Sequence, residues 1–305
     1  MTNVINLSRA ADGVDFVITE KDLTIQFTNP LDFDPDEDVL VTEAEGRIVG
    51  LARVWRKSRE NGGCSYGHSV ELLEEWRDKG VRECLFHHNE DHIRRMAKID
   101  GKEEASVFEL WTNDAENQWK SIVLDNGYRP VQHELDLIRG LDTIQEFPLP
   151  EGIQVRPVDP SHYEAIREAN REAWKRDWNF SKEDWNEEYF RAFMKKSAFQ
   201  PQLWQVAWKG DLLAGMVLNY IIDEENMQLG TKRGHTENVF VREQFRGIGL
   251  ARALLSRSFR VLKDRGMEEA MLSAEIENPH GALRLYEGMG FKVVNHLTWY
   301  QKPLV

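Results

Sequence analysis

The sequence predicts an α/β (α+β) fold present in two tandem copies. Three observations carry that expectation. A strand, a glycine-bearing turn and a helix follow one another between His235 and Gly266. Pieces of the first half recur in the second: Gly50 and Gly215, Gly80 and Gly247, and Gly127 and Gly290 stand in similar surroundings 165, 167 and 163 residues apart. Near-constant spacing at three places marks a duplicated unit. Between the halves, residues 139–152 read RGLDTIQEFPLPEG, where Pro148, Pro150 and the flanking glycines break any regular element. The expected domains are 1–145 and 146–305, and 305 residues suit two domains of about 150 each.

The central stretch begins as a strand. His235, Glu237, Val239 and Val241 alternate with Thr236, Asn238 and Phe240, the period that sends successive side chains to opposite faces. It ends as a helix, with Leu250, Leu254, Leu255, Phe259 and Leu262 at three- and four-residue steps and Gly266 as a stop. Between them, Gln244-Phe245-Arg246-Gly247-Ile248-Gly249 lets backbone approach a ligand at the N-terminus of a helix, a natural seat for a pyrophosphate. A dinucleotide-binding turn would need a third small residue where Arg252 stands, and a P-loop would need Gly-Lys-Ser/Thr.

In the first half, Glu45 to Leu51 reads as strand, turn and strand, like Lys209 to Met216. Arg82 stands where the second copy has Gly249, and a side chain there is expected to crowd the pyrophosphate. Val123 stands where the second copy has Tyr286. His88 and His92 lie one helical turn apart, but Glu90 is out of place for a metalloprotease motif and no third ligand is evident, so no metal site is expected. In the second half, Gln154–Val158 reads as a strand, and Ser161 to Ala198 as mostly helical with caps at Ser161 and Ser181. Leu203 to Ile222 reads as two strands and Asp223 to Gly234 as a polar loop.

The pattern Gln244-x-x-Gly247-x-Gly249 resembles the pyrophosphate signature of the GNAT acyltransferases. Glu277 to Phe291, ENPHGALRLYEGMGF, is similar to that family's second signature. The tandem layout and the Pro-Leu-Pro-Glu-Gly linker look like the branch that contains the mycothiol synthases and uncharacterised relatives. The resemblance implies two tandem GNAT folds, each a mixed, mostly antiparallel twisted sheet flanked by helices, with a C-terminal copy that moves an acetyl group from acetyl-CoA to a primary amine of a small molecule. It implies that backbone groups of Val239, Phe240 and Val241 meet the pantetheine and that Arg246, Gly247, Ile248, Gly249, Leu250 and Ala251 hold the pyrophosphate. Asn278 reads as a helix cap before Pro279, a role compatible with the further contact to acetyl-CoA that the resemblance implies. Tyr286 matches the general acid, two turns into a helix begun at Asn278–Pro279, and Glu237 a common general base. His235 is the second base candidate. A base is expected to matter most at low pH, where free amine is scarce.

Each role has a plainer alternative. Tyr286 could pack among Leu283, Leu285 and Met289, and Glu237 could be an ordinary strand-end charge. The chain as a whole could be an acyl-CoA sensor without turnover or a mycothiol-synthase-like enzyme. The net charge of -13 argues against nucleic acid and suits an amine-bearing acceptor. No apolar run approaches the roughly 20 residues that span a bilayer, and MTNVINLSRAADG lacks the form of a signal peptide. Cys64 and Cys84 suggest no disulfide framework, so a cytoplasmic protein is expected.

Overall fold

The contacts within the chain divide it at places other than the proline-bearing linker. In the computed structural model, which describes residues 1–175, 178–181, 183–276 and 281–305, unit 1 comprises residues 1–133 and 296–305, and unit 2 residues 134–295.

Unit 1 opens with helices α1 (Thr2–Ala11) and α2 (Glu20–Thr28), the latter capped by the Thr19 side chain, which accepts the Asp22 N–H. Strands β1 (Val39–Ala44) and β2 (Arg47–Ser58) meet at Glu45-Gly46, both left-handed, as a tight hairpin requires. Then come β3 (Cys64–Leu72), helix α3 (Val81–Asp100), β4 (Val107–Asn113) and α4 (Asn117–Asp125). β3 runs parallel to β4, while β1–β2 and β2–β3 are antiparallel. The core gathers Phe86 and Ile93 of α3, Trp119 and Val123 of α4, and Tyr66, Phe108 and Leu110 of the sheet.

Two strands, β5 (Arg129–Gly140) and β11 (Lys292–Pro303), change unit along their length. Leu297–Pro303 of β11 pairs antiparallel with β4 in unit 1. Glu134–Gly140 of β5, from the first half of the sequence, lies in unit 2 and pairs antiparallel with β10 (Glu269–Glu275).

Unit 2 continues with β6 (Gln154–Arg156), α5 (Tyr163–Trp174), α6 (Glu187–Phe193), β7 (Gln205–Lys209), β8 (Leu212–Tyr220), α7 (Asp223–Leu229), β9 (Arg233–Val241), α8 (Leu250–Asp264) and α9 (Ala282–Gly288). Its strand order is β5-β10-β9-β8-β7-β6, parallel at β9–β10 and antiparallel elsewhere. The predicted stripe of α8 is the core: Leu250, Leu254, Leu255, Phe259 and Leu262 are each at most 1% exposed, each contributing about 1.5–3 kcal/mol of burial. They pack on one face of the sheet with Val217, Leu272 and Tyr286. The other face carries Met216, Leu218 and Phe240 beneath Ile166 and Ala169 of α5 and an aromatic group of Trp185, Phe190 and Trp204.

Three local expectations change. Asp159, not Ser161, caps the turn before α5, accepting the Ser161 N–H at 2.8 Å. Ser181 begins a turn, in which its N–H donates to Asp184, and α6 starts later, capped by Asn186. The polar segment after β8 is not all loop: Asp223, Glu224 and Glu225 favour a helix N-terminus and begin α7.

Candidate active site

The site begins where two parallel strands part. β9 and β10 pair over Arg233–His235 and Glu269–Met271. Beyond that point their registers end, and the Thr236 hydroxyl reaches over to the Met271 carbonyl at 3.1 Å. Such an opening leaves strand N–H and C=O groups facing the gap instead of a neighbour.

The β8 partner of β9 shows a second irregularity. Met216 faces Phe240 and Leu218 faces Glu237, so Asn238 and Val239 together stand opposite Val217. This is a β-bulge, and Asn238 takes a left-handed φ of 50°, which asparagine tolerates better than most residues. The bulge corrects the period-two expectation. His235 and Glu237 keep the face of Leu218 and Phe240, while Val239 and Val241 turn to the face packed by α8.

Glu237 is half-buried, and its carboxylate accepts the backbone N–H of Ser273 across the opening. Burial, then the charges of Asp136 and Glu134, outweigh that hydrogen bond and push its carboxyl up to about 8. Tyr286 is 7% exposed and meets Phe291 edge-on at 6.0 Å. Burial and the nearby Glu237 charge hold its phenol well above the ordinary range, so it carries its proton at any working pH. A carboxyl that can take a proton near neutrality and a phenol that holds one are thus close enough to sense one another.

Tyr286 sits differently along its helix than its sequence suggests. α9 begins at Ala282 after a left-handed Gly281, so Tyr286 is in its second turn rather than two full turns in. The expected start at Asn278–Pro279, and the contact expected of Asn278, lie outside the described residues.

His235 is occupied. Its Nε2 and Glu225 Oε1 of α7 lie 2.8 Å apart, and its ring stacks on Tyr220 at 4.5 Å and 7°. The base position with no such clamp is Glu237.

Downstream, the turn fits an anion. Gly247 and Gly249 have φ of 77° and 87°, and a Cβ at either would meet no protein atom within 4 Å. The left-handed backbone strongly favours glycine there, and the clear space lies before α8, whose N-terminus has no side-chain cap. Arg246 is held against the turn by its Nε, which donates to the Val241 carbonyl at 3.0 Å. Ile248, Leu250 and Ala251 complete the stretch, with Leu250 anchored in the core. Residues 246–251 therefore form an open turn that suits an anion, and residues 239–241 end the strand just upstream of it. Among the described residues, no group of three or more His, Cys, Asp or Glu side chains is placed to hold a metal ion. His92 instead lies 2.7 Å from Asp38.

Sequence reasoning passed over Glu225, Ser273 and Asp136. Glu225 lay in a segment read as loop. Ser273 and Asp136 reach Glu237 through strand register, for which the sequence carries no local signal.

Residues 163–291 match the acetyltransferase (GNAT) family. A mycothiol acetyltransferase of Geodermatophilus obscurus is 26% identical over 297 residues, covering 94% of this chain and 88% of that protein. Among solved structures, a GCN5-related N-acetyltransferase from Sphaerobacter thermophilus superposes with a TM-score of 0.73 at 24% identity, over 99% of this chain and 91% of that one. A tandem GNAT protein from the clavulanic acid biosynthesis pathway does so with 0.71 at 14% identity, over 100% and 94%.

Proposed function

We propose that this chain, which belongs to the acetyltransferase (GNAT) family and is an N-acetyltransferase, moves an acetyl group from acetyl-CoA to a primary amine of a small molecule at the β9–β10 opening of unit 2. The observation that supports the reading is Glu237 accepting the Ser273 N–H across that opening within electrostatic reach of the buried Tyr286 phenol, with a left-handed glycine turn just downstream. The thioester supplies the acetyl group and a sulfur leaving group. The Arg246–Ala251 turn holds the pyrophosphate, and strand groups freed by the bulge meet the pantetheine.

The amine attacks the thioester carbonyl carbon. A C–N bond forms, the C–S bond breaks, the amine proton passes to Glu237 and the departing thiolate takes the Tyr286 proton. The tetrahedral oxyanion is met by backbone N–H groups of the bulged strand. His235, tied to Glu225, orients the acceptor side of the site rather than serving as the base.

The near-full-length match to a mycothiol acetyltransferase favours one narrower reading, a mycothiol precursor as acceptor. The test is release of free thiol from acetyl-CoA across a panel of small amines that includes such a precursor. Turnover with one class of amine is expected. Tight binding of acetyl-CoA with no thiol released by any amine would leave a sensor instead.

A further inference from the structure

Unit 1 has the same opening as unit 2 but not the same contents. β3 and β4 pair over Ser65–Gly67 and Val107–Glu109, as β9 and β10 pair over Arg233–His235 and Glu269–Met271. By register, Leu72 stands where Val241 does: each is the residue facing the equivalent glycine, Gly50 or Gly215. The next residue of each strand donates to the neighbouring strand, Leu73 to Val49 at 2.9 Å and Arg242 to Ala214 at 3.0 Å. Successive N–H groups point to opposite edges, so the N–H of Leu72, like that of Val241, points into the opening.

In unit 1 that N–H is taken. The Ser8 hydroxyl of α1 accepts it at 3.0 Å, and Ser8 is fully buried. One turn further along, Asp12 at the end of α1 accepts from Arg77 Nη1 at 2.6 Å and Nη2 at 3.0 Å, and from Arg82 Nη2 at 3.1 Å. Both arginines belong to the stretch equivalent to the pyrophosphate turn, and both are buried. Arg82 also lies over the Trp119 ring at 5.0 Å, with Glu116 at 3.9 Å. Its Nε and Nη1 find no acceptor among the described residues, which leaves cationic capacity beyond what Asp12 satisfies. In unit 2, α5 meets the end of β9 through a Glu172–Arg242 pair of 3.0 Å whose glutamate is 50% exposed.

We propose that α1 is a built-in substitute for the acyl-CoA in unit 1, with Ser8 taking a strand N–H that pantetheine would take and Asp12 standing as the anion at the turn. The assignment rests on the reading of the Gly247–Gly249 turn as the cofactor seat of unit 2. Unit 1 is then closed to acetyl-CoA by its own chain, and the full protein binds one acetyl-CoA.

The experiment uses the full chain with Gly249→Arg as background, so that unit 2 adds no anion binding, and inorganic pyrophosphate as the probe. Adding Asp12→Ala removes the carboxylate shared by two buried guanidiniums and should lower the melting temperature by on the order of 10 °C. Millimolar pyrophosphate should restore a large part of that loss while leaving the Gly249→Arg protein with Asp12 intact nearly unmoved. Equal stabilisation of both proteins would mean an open seat, and no rescue would mean that Asp12 replaces no anion. Either result overturns the proposal, as does a second equivalent of acetyl-CoA bound by the unmutated chain. If Asp12→Ala does not fold, Asp12→Asn keeps an acceptor oxygen and is measured the same way. Failure of the unit 2 reading shows separately, as acetyl-CoA binding unaffected by Gly249→Arg.

Discussion

The two copies have a strand opening in common and differ in everything that would use it. In unit 2, β9 bulges at Asn238–Val239, whereas the β2–β3 ladder of unit 1 runs without a shift from Gly50–Leu72 to Ser58–Cys64. In unit 2 the opening holds Glu237, and by register Ser69 of unit 1 stands in that place. His235 corresponds to Gly67, whose surface is covered by Trp55: a Cβ there would come within 2.1 Å of the indole. The turns diverge most instructively. Gly249 holds a left-handed φ and α8 starts after it, but arginine resists that conformation, so α3 starts two residues earlier in the motif and Arg82 becomes helical. The expectation that Arg82 crowds a pyrophosphate is thereby corrected. The helix absorbs the turn, and the side chain goes inward to Asp12. The copy that carries Glu237 bulges beside it, and the copy that carries Ser69 in that place does not.

The comparison can be tested by pushing unit 2 toward unit 1. The largest effect is expected from Tyr286→Phe, which removes a hydroxyl that Val123 also lacks. A positioned general acid is worth about 10² to 10⁴ in rate. kcat should fall at least about tenfold, with acetyl-CoA affinity and melting temperature nearly unchanged. Parallel loss of stability and activity would return Tyr286 to a packing role. If kcat held in an assay limited by chemistry, that would falsify the acid assignment.

Glu237→Gln should come next, and its pH dependence has a sign. A carboxyl held up to about 8 is mostly protonated at neutral pH and becomes a base above it. kcat/KM of the unmutated chain should therefore climb as pH rises toward 8, and the variant should lose that climb, with the largest difference above pH 8. This reverses the sequence-based expectation of a larger effect at low pH. Stability gives an independent reading. The unfolded carboxyl ionises near 4.5 while the folded one keeps its proton to about 8, so the native residue weighs against folding increasingly across that window. The melting temperature of the variant relative to the parent should rise from pH 5 to pH 9. A flat difference would mean that the carboxyl is not raised.

Gly249→Arg should weaken acetyl-CoA at least about tenfold by calorimetry, equivalent to losing one charge-assisted hydrogen bond of about 1.5–3 kcal/mol. The smallest effect is expected from the reverse change. Arg82→Gly should add no second binding event, because Ser8, Asp12 and the regular β3 ladder remain. A new equivalent of bound acetyl-CoA would make the arginine alone responsible for the difference.

The parts legible in the sequence are those encoded over short distances. The α8 stripe, the paired glycines and the hairpin at Glu45-Gly46 follow from periodicity and from backbone conformations that few residues adopt. The bulge escaped because Asn238 differs from an ordinary strand residue only in tolerating a left-handed φ, and the ladder that reveals it belongs to β8. The raised carboxyl of Glu237 depends on Asp136 and Glu134, about a hundred residues away in the chain, which strand register alone brings near. Arg82 stands out in the sequence as a departure from a motif, but its partner Asp12 lies seventy positions earlier, at the end of a helix with no motif of its own.

The strand traffic at 134–140 and 296–303 bears on how such a gene can change. Each half of the message encodes a piece of the other half's sheet: seven residues of β5 complete the sheet beside β10, and seven of β11 the sheet beside β4. A stop or a start placed in the proline-bearing linker would strip one sheet of its edge and strand the orphaned segment in the other product. The Glu237 opening would then lose Asp136 and the support of β10 with it. A cut that left both sheets whole would have to fall between 133 and 134 and between 295 and 296, not in the linker.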